Sequence, residues 1–346
     1  MTDPALATLF LPLETGEIEL SDPSQVLFMR ARSGTQLSAL RGKSAVFEQS
    51  FAPDRDSLES AGFVVTPETD AADFDLVMVL PGRQRQESRA QLAKAATRTK
   101  PGGTVIACAT NTEGAKSLEA DISALLGTPE KLTKHKCRCL WAAVDPELAD
   151  QRLMQEWADL DGIRPIMDGA YLSRPGVFAW DRIDPASQLL ADHLPDTLSG
   201  RGADLGAGLG FLARHVLENA PKVTGIDLYE AEKRALDLAE QNLSTFKGKR
   251  AMNGIWSDVT KGLDGPYDFL VSNPPFHQTG KADRSDIGQA FIRAASEGLR
   301  GGGTFWMVAN RHLPYEHALS EAFASFNIVA DQGGYKVIKA VKAKGR

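Results

Sequence analysis

The sequence predicts an α/β protein built from two tandem, mostly parallel sheets that arose by duplication. Three observations carry this. Phe74-Asp75-Leu76-Val77-Met78-Val79-Leu80-Pro81 is echoed by Tyr267-Asp268-Phe269-Leu270-Val271-Ser272-Asn273-Pro274. Lys100-Pro101-Gly102-Gly103-Thr104-Val105-Ile106 is echoed by Arg300-Gly301-Gly302-Gly303-Thr304-Phe305-Trp306. The exits match as well, Ala109-Thr110-Asn111 against Val308-Ala309-Asn310. Each set reads as strand, helix, glycine turn and strand, the signature of a parallel sheet with crossovers.

Bulk properties set the limits. At 346 residues the chain suits two domains. Its 42% hydrophobic and 24% charged residues are ordinary for a globular protein. No apolar run reaches membrane-spanning length, and the start, Met1-Thr2-Asp3-Pro4, lacks the basic-then-apolar pattern of a secretory signal. Three cysteines, Cys108, Cys137 and Cys139, are too few and too clustered for a disulfide framework, so a cytoplasmic location is expected. A net charge of −6 argues against indiscriminate coating of nucleic acid, though not against an enzyme with local positive charge.

The first domain is expected over residues 1–160 and the second over 161–346, with Asp145 to Asp161 as a polar, partly helical connector. The second opens with Arg174-Pro175-Gly176-Val177-Phe178. Asp184-Pro185 starts a helix, the aspartate as N-cap and the proline at the first helical position. Further helices are predicted at 211–217, 230–243, 287–299 and 315–323. The last strand, 335–340, is expected to be antiparallel, since little chain remains for another crossover.

The chemistry sits in the second domain. Gly202-Ala203-Asp204-Leu205-Gly206-Ala207-Gly208-Leu209-Gly210 joins a strand to a helix. Glycines there let the backbone approach a ligand closely. The Gly-x-Gly-x-Gly spacing differs from the dinucleotide fingerprint, and an acid two residues before the first glycine suits a cation better than a pyrophosphate. S-adenosylmethionine carries a sulfonium and an ammonium and no phosphate. The predicted cofactor residues are Asp204, Gly206, Ala207, Gly208, Gly210, Asp227 with Leu228, Asp258 with Val259, and Asn273. Asp227 follows Asp204 by 23 residues at what reads as a strand end, where a carboxylate accepts ribose hydroxyls. Asp258 is assigned to the adenine amine. Each acid also has a plainer reading as a helix N-cap.

Ser272-Asn273-Pro274-Pro275-Phe276-His277 follows the central strand. Two prolines remove backbone donors and stiffen the turn. The Asn273 amide, free carbonyls and an aromatic face remain, a set suited to a planar NH₂ and its ring. Asn273, Pro274, Pro275 and Phe276 are the predicted catalytic residues. His277 is a candidate at the substrate rim, equally readable as a turn histidine. Lys134, Lys136 and Arg138, on one face of a predicted strand, are candidate RNA contacts or a charged edge that resists aggregation. His135, Cys137 and Cys139 alternate on the other face without an evident fourth ligand, so no metal is expected. Lys336, Lys339, Lys342 and Lys344 read as solvated surface, and Trp256 and Trp306 as core.

These residues resemble the class I S-adenosylmethionine-dependent methyltransferases. Among them the chain resembles the ribosomal RNA small subunit methyltransferase C family, over nearly its whole length. The resemblance rests on Gly176-Val177-Phe178 with Asp181 and Asp184, Ser187-Gln188-Leu189-Leu190, the glycine loop, Asp227, Ser272 through His277, and Val308-Ala309-Asn310 followed by Leu313-Pro314-Tyr315. Arg311-His312 before Leu313 departs from the pattern. The resemblance implies two Rossmann-like domains, the N-terminal copy degenerate and the C-terminal copy catalytic. It also implies methylation of guanine N2 in 16S rRNA, free or within an assembled small subunit, with no oligomer implied. Rival readings are guanine-N2 methylation of 23S rRNA, glutamine methylation of a protein, adenine methylation of DNA, and a non-catalytic RNA-binding assembly factor.

Overall fold

The computed structural model describes residues 3–275 and 283–345. The chain divides into two units, Met1–Ile163 with Arg174–Gly176, and Arg164–Ser173 with Val177–Arg346. The segment that was expected to open the second domain therefore belongs in part to the first. Arg174 pairs there with buried Asp161 at 2.7 Å. The expected connector is likewise part of the first unit, because Met154 and Trp157 on its helix are buried in that unit's core.

The first unit holds strands β1 (Gln25–Met29), β2 (Ser44–Glu48), β3 (Val65–Thr66), β4 (Phe74–Val79), β5 (Thr99–Thr110), β6 (Glu130–Lys134) and β7 (Cys137–Ala143). Its helices are α1 (Pro4–Glu14), α2 (Ala52–Ser60), α3 (Arg85–Arg98), α4 (Ala115–Leu126) and α5 (Gln151–Ala158). The second unit begins with a small hairpin, β8 (Arg164–Ile166) and β9 (Tyr171–Ser173). Its main sheet comprises β10 (Ser199–Leu205), β11 (Lys222–Glu230), β12 (Ala251–Trp256), β13 (Tyr267–Ser272), β14 (Leu299–Asn310), β15 (Ser325–Gln332) and β16 (Tyr335–Val341). The helices are α6 (Pro185–Ala191), α7 (Phe211–Asn219), α8 (Lys233–Asn242), α9 (Asp283–Gly298) and α10 (Glu316–Ala322).

Both sheets have one plan. The strand orders are β3-β2-β1-β4-β5-β7-β6 and β12-β11-β10-β13-β14-β16-β15. In each, the first five strands run parallel, the sixth runs against them, and the seventh pairs antiparallel with the sixth. The last strand in sequence is antiparallel as expected; β15, its hairpin partner, was not foreseen. Central strands buried on both faces are almost continuously apolar. Phe269 and Val271 face the cluster containing Leu190, Leu212 and Ala239, while Leu270 faces the cluster containing Ile292, Leu319 and Phe323. Alternation of side chains along β13 thus serves two layers of helices.

Even small devices repeat. The Asp75 carboxylate accepts from the Gln25 amide at 2.7 Å, and the Asp268 carboxylate accepts from the Arg201 amide at 2.8 Å. The register shifts at Phe74/Leu76 in one sheet and Tyr267/Phe269 in the other.

The hairpins differ in a way that corrects a prediction. β15 and β16 turn through Gly333 and Gly334, both at positive φ. β6 and β7 turn through His135 and Lys136, also both at positive φ, 52° and 59°. Two-residue hairpins demand that geometry, which glycine supplies and His-Lys does not announce. His135 therefore sits in a turn and is not in line with Cys137 and Cys139, which are buried in the core with Cys108. Lys134, Lys136 and Arg138 do not share one strand face either. Arg138 and Lys131 both pair with Glu119 and hold its carboxyl below the usual range. Among the described residues no group of three or more His, Cys, Asp or Glu is placed to hold a metal, and no helix is long and apolar enough to cross a membrane.

Candidate active site

The site lies at the carboxyl ends of β10, β11 and β13, where a doubly wound sheet leaves a crevice. Leu205 and Ser272 are register partners, so the glycine loop and the Asn-Pro-Pro turn leave adjacent strands at the same level. The buried Ser272 hydroxyl donates to the Leu205 carbonyl at 2.7 Å and ties the two exits together.

The loop is pinned from below. Gly206 and Ala207 amides both donate to the Tyr229 carbonyl, at 2.8 and 3.0 Å. Gly206 and Gly208 have φ of +77° and +56°, a region that disfavours any side chain, and the space around a Cβ at Gly208 is open. Gly210 begins α7, and a Cβ there would press on Ala239 and Leu243 at 3.2–3.4 Å. Asn242, on α8, donates to the Leu209 and Leu172 carbonyls at 3.0 Å each and accepts from the Leu172 amide. Sequence reasoning missed this brace.

The four acids divide into different roles. Asp204 is wholly buried beneath the loop, with one oxygen accepting from the Ala213 amide at 3.0 Å and the other without a partner. It is not on the loop's surface, where direct contact with a cation had been expected. Burial pushes its pKa up to about 7, with the charge of Glu230 adding to the effect. Asp227 and Leu228 do not end their strand. β11 runs on to Glu230, and Asp227 is buried beside Tyr267 (2.7 Å), Asn253 (2.9 Å) and Arg201. Leu228 is a core residue. The acid at the strand tip is Glu230, which accepts from the Gly208 amide at 2.7 Å and the Glu232 amide at 2.9 Å. Burial raises its pKa as well. Its position was hidden because the helix was predicted to begin at residue 230, whereas α8 starts at Lys233.

Asp258 lies two residues beyond β12 and caps a short 3₁₀ turn, accepting from the Thr260 amide at 2.9 Å and hydroxyl at 2.7 Å. Val259 is buried among Tyr229 and Ile292. The tip of β12 is tied to that of β11 by Trp256, half-buried rather than core, whose indole donates to the Ala231 carbonyl at 3.0 Å. Trp306 is a core residue as expected.

Asn273 carries the most specific geometry. Its Nδ2 donates to Asp184 Oδ2 at 2.9 Å and to Ser187 Oγ at 2.8 Å, while its Oδ1 is buried without a partner. Pro274 is buried and Pro275 exposed. Phe276 and His277 lie outside the described residues. Two C-terminal lysines expected to be solvated are structural: buried Lys336 donates to the Leu313 carbonyl, and Lys342 to Ser296. Lys339 and Lys344, with Arg300, line a cavity of about 410 Å³ at the opposite, amino-terminal ends of the strands.

The residues fit a cationic cofactor. Two carboxyls with raised pKa lie under or beside an open glycine loop, and a positive charge placed there would favour their ionised forms. The same shift makes stability pH-dependent. A carboxyl whose folded pKa lies above its unfolded value contributes most below about pH 4 and loses that contribution as pH rises through about 7, a difference on the order of 4 kcal/mol. Without cofactor, Asp204→Asn should therefore raise the thermal midpoint at pH 8 and change it little near pH 4. An equal gain at both pH values would show that Asp204 does not titrate in this range.

Comparison with known proteins agrees. The family model for the methyltransferase small domain matches residues 169–339. The ribosomal RNA small subunit methyltransferase C of Shewanella piezotolerans is 29% identical over 270 residues, 78% of each chain. That of Salmonella newport is 28% identical over 284 residues, 81% of this chain and 80% of its own. Among solved structures, the T. thermophilus 16S rRNA N2 G1207 methyltransferase (RsmC), in complex with AdoMet and guanosine, superposes with a TM-score of 0.81 at 25% identity, covering 98% of this chain and 92% of that one. With its glycine loop, acid-lined crevice and Asn-Pro-Pro turn, the chain is a class I S-adenosylmethionine-dependent methyltransferase that resembles the ribosomal RNA small subunit methyltransferase C family.

Proposed function

We propose that the protein transfers a methyl group from S-adenosylmethionine to the N2 amine of a guanine in 16S rRNA. The observation that carries this reading is the unpartnered, buried Oδ1 of Asn273, one residue past the strand that neighbours the exit to the glycine loop. A buried acceptor without a donor is costly, and an amine N–H supplies the missing bond. The names of the relatives above give small-subunit rRNA as their substrate, and that of the T. thermophilus protein gives guanine N2.

The cofactor supplies an electrophilic methyl on a sulfonium. The protein's own residues do the rest. Asp204 and Glu230 balance positive charge beneath and beside the loop, and Glu230 takes the ribose role assigned from sequence to Asp227. Asp258, the cap of the turn after β12, keeps the adenine amine as its assigned partner. Asn273 Oδ1 and the Pro274 carbonyl accept the two amine protons, which favours a pyramidal nitrogen with its lone pair free. Phe276, outside the described residues, keeps its assignment from sequence as the ring that stacks on the base. Methyl transfer breaks the sulfonium S–C bond as the N–C bond forms, and the methylated nitrogen then loses its extra proton to water, so alignment and fixed dipoles supply most of the acceleration and no strong base is required. A guanine inside folded RNA must be flipped out or already unpaired.

The N-terminal unit reads as a degenerate copy of the catalytic one, serving substrate binding or structural support. Arg30 follows β1 where Gly206 follows β10, and its side chain is 3.1 Å from buried Glu87. Leu80 stands where Asn273 stands. An ion pair and a leucine thus replace the loop and the carboxamide. Lys134 and Lys136, at the β6–β7 turn, remain candidate RNA contacts with Arg138. The net charge of −6 favours a structured ribonucleoprotein, the assembled small subunit, over bulk RNA, and a cytoplasmic site of action follows from that substrate.

Nucleoside mass spectrometry of both rRNAs from a deletion strain tests the reading. Loss of N2-methylguanosine from 16S rRNA is expected. Loss confined to 23S rRNA would move the activity to the other subunit, and unchanged profiles in both would reject the proposal.

A further inference from the structure

We propose that Asp184 and Ser187 are positioning residues that select one orientation of the Asn273 amide, so that its oxygen and not its nitrogen meets the substrate amine. This rests on the reading of Asn273 as the amine's acceptor. A carboxamide has two faces of opposite polarity, and rotating it by half a turn would place NH₂ where an acceptor is needed. Something must therefore break the symmetry.

The structure contains such a device. Asp184 Oδ2 stands 2.9 Å from Asn273 Nδ2 and Ser187 Oγ stands 2.8 Å from the same nitrogen. A carboxylate oxygen accepts and does not donate, so a flipped amide would set two acceptors against each other. Both donor hydrogens of the Asn273 amide are thereby used within the protein. Only Oδ1 is left, buried and without a partner.

The holders are themselves fixed. The same Asp184 oxygen accepts from the Ala186 and Ser187 amides at 3.1 Å, which caps α6. Leu190 of α6 is fully buried in the cluster that includes Val271 and Trp306 of the central strands. The 184–187 spacing brings cap and hydroxyl to one side of the helix start. The cap and the orientation of the amide thus share one oxygen. Asp184 and Ser187 need not touch the substrate; they act through Asn273.

The shared oxygen makes the test specific. Asp184→Ser keeps an N-capping hydroxyl one bond too short to reach the amide. Ser187→Ala removes the second acceptor and leaves the cap untouched. Asp184→Asn retains an oxygen able to make all three bonds. Methyl transfer would be measured on small subunits from the deletion strain. In parallel, calorimetry would follow S-adenosylmethionine binding, and the thermal midpoint would be recorded.

The Asp184→Ser/Ser187→Ala double variant is expected to lose tenfold to a hundredfold in kcat, with cofactor affinity and KM within about threefold of the parent. Ser187→Ala alone should fall between, at an unchanged thermal midpoint, and Asp184→Asn should restore most of the rate. A double variant with kcat within twofold of the parent overturns the inference. So does a loss in Asp184→Asn as large as in Asp184→Ser. Asn273→Ala run alongside separates the two levels. If it is inactive while the double variant is normal, only the positioning role fails; if it is active, the assignment of Asn273 itself fails.

Discussion

Asn273→Ala is expected to reduce methyl transfer by at least about a hundredfold while S-adenosylmethionine still binds. The size follows from where the side chain acts. Its Oδ1 is buried, unpartnered and held still, so the dipole is already aimed before the substrate arrives. Such an oriented group is worth far more in a dry crevice than in water, because nothing need reorganise as charge develops on the nitrogen. Truncation removes that dipole and releases Asp184 and Ser187 from their shared donor. The fold should tolerate this, since Asp184 still caps α6 through Ala186 and Ser187. Single-turnover transfer with calorimetry of the cofactor checks both halves. Near-normal turnover would remove Asn273 from the chemistry, and loss of cofactor binding would make it a loop brace instead.

The repeated plan was legible because it is written in short local signals. Apolar runs that enter Leu-Pro or Asn-Pro, and glycine turns that lead to Thr104 and Thr304, survive in both halves of the chain. β4 and β13 occupy the same place in their sheets, as do β5 and β14. What the sequence concealed depends on long-range packing. The His135–Lys136 turn lacks Asn or Gly, so local pattern reads through it as strand. α5 is polar enough to pass for a linker until Trp157 is seen in the core. The Asn273 clamp joins residues 86 and 89 positions apart, which no local spacing announces. Asp184 was visible as a cap; its second duty was not.

The strand end at β11 gives the sharpest test of local reasoning against structure. An acid after Gly-Ile invites assignment to the strand tip, yet β11 continues through Leu228 and Tyr229 to Glu230. Glu230→Gln should weaken S-adenosylmethionine binding tenfold or more, the cost of exchanging a charged acceptor for a neutral one. Its thermal midpoint should change little, because the remaining oxygen can still accept one of the two loop amides. Asp227→Ala should behave oppositely. It strips a shared acceptor from Asn253, Tyr267 and Arg201; Tyr267 keeps its bond to Tyr229 and the half-exposed Arg201 turns to water, so the loss is about 1–3 kcal/mol in stability. The fraction that stays folded should bind cofactor with parental affinity. Calorimetry and thermal melts on the two variants separate these outcomes. If Asp227→Ala lost cofactor at full stability while Glu230→Gln bound normally, the tip of β11 would lie three residues earlier in function than in structure, and the role given to Glu230 would fall.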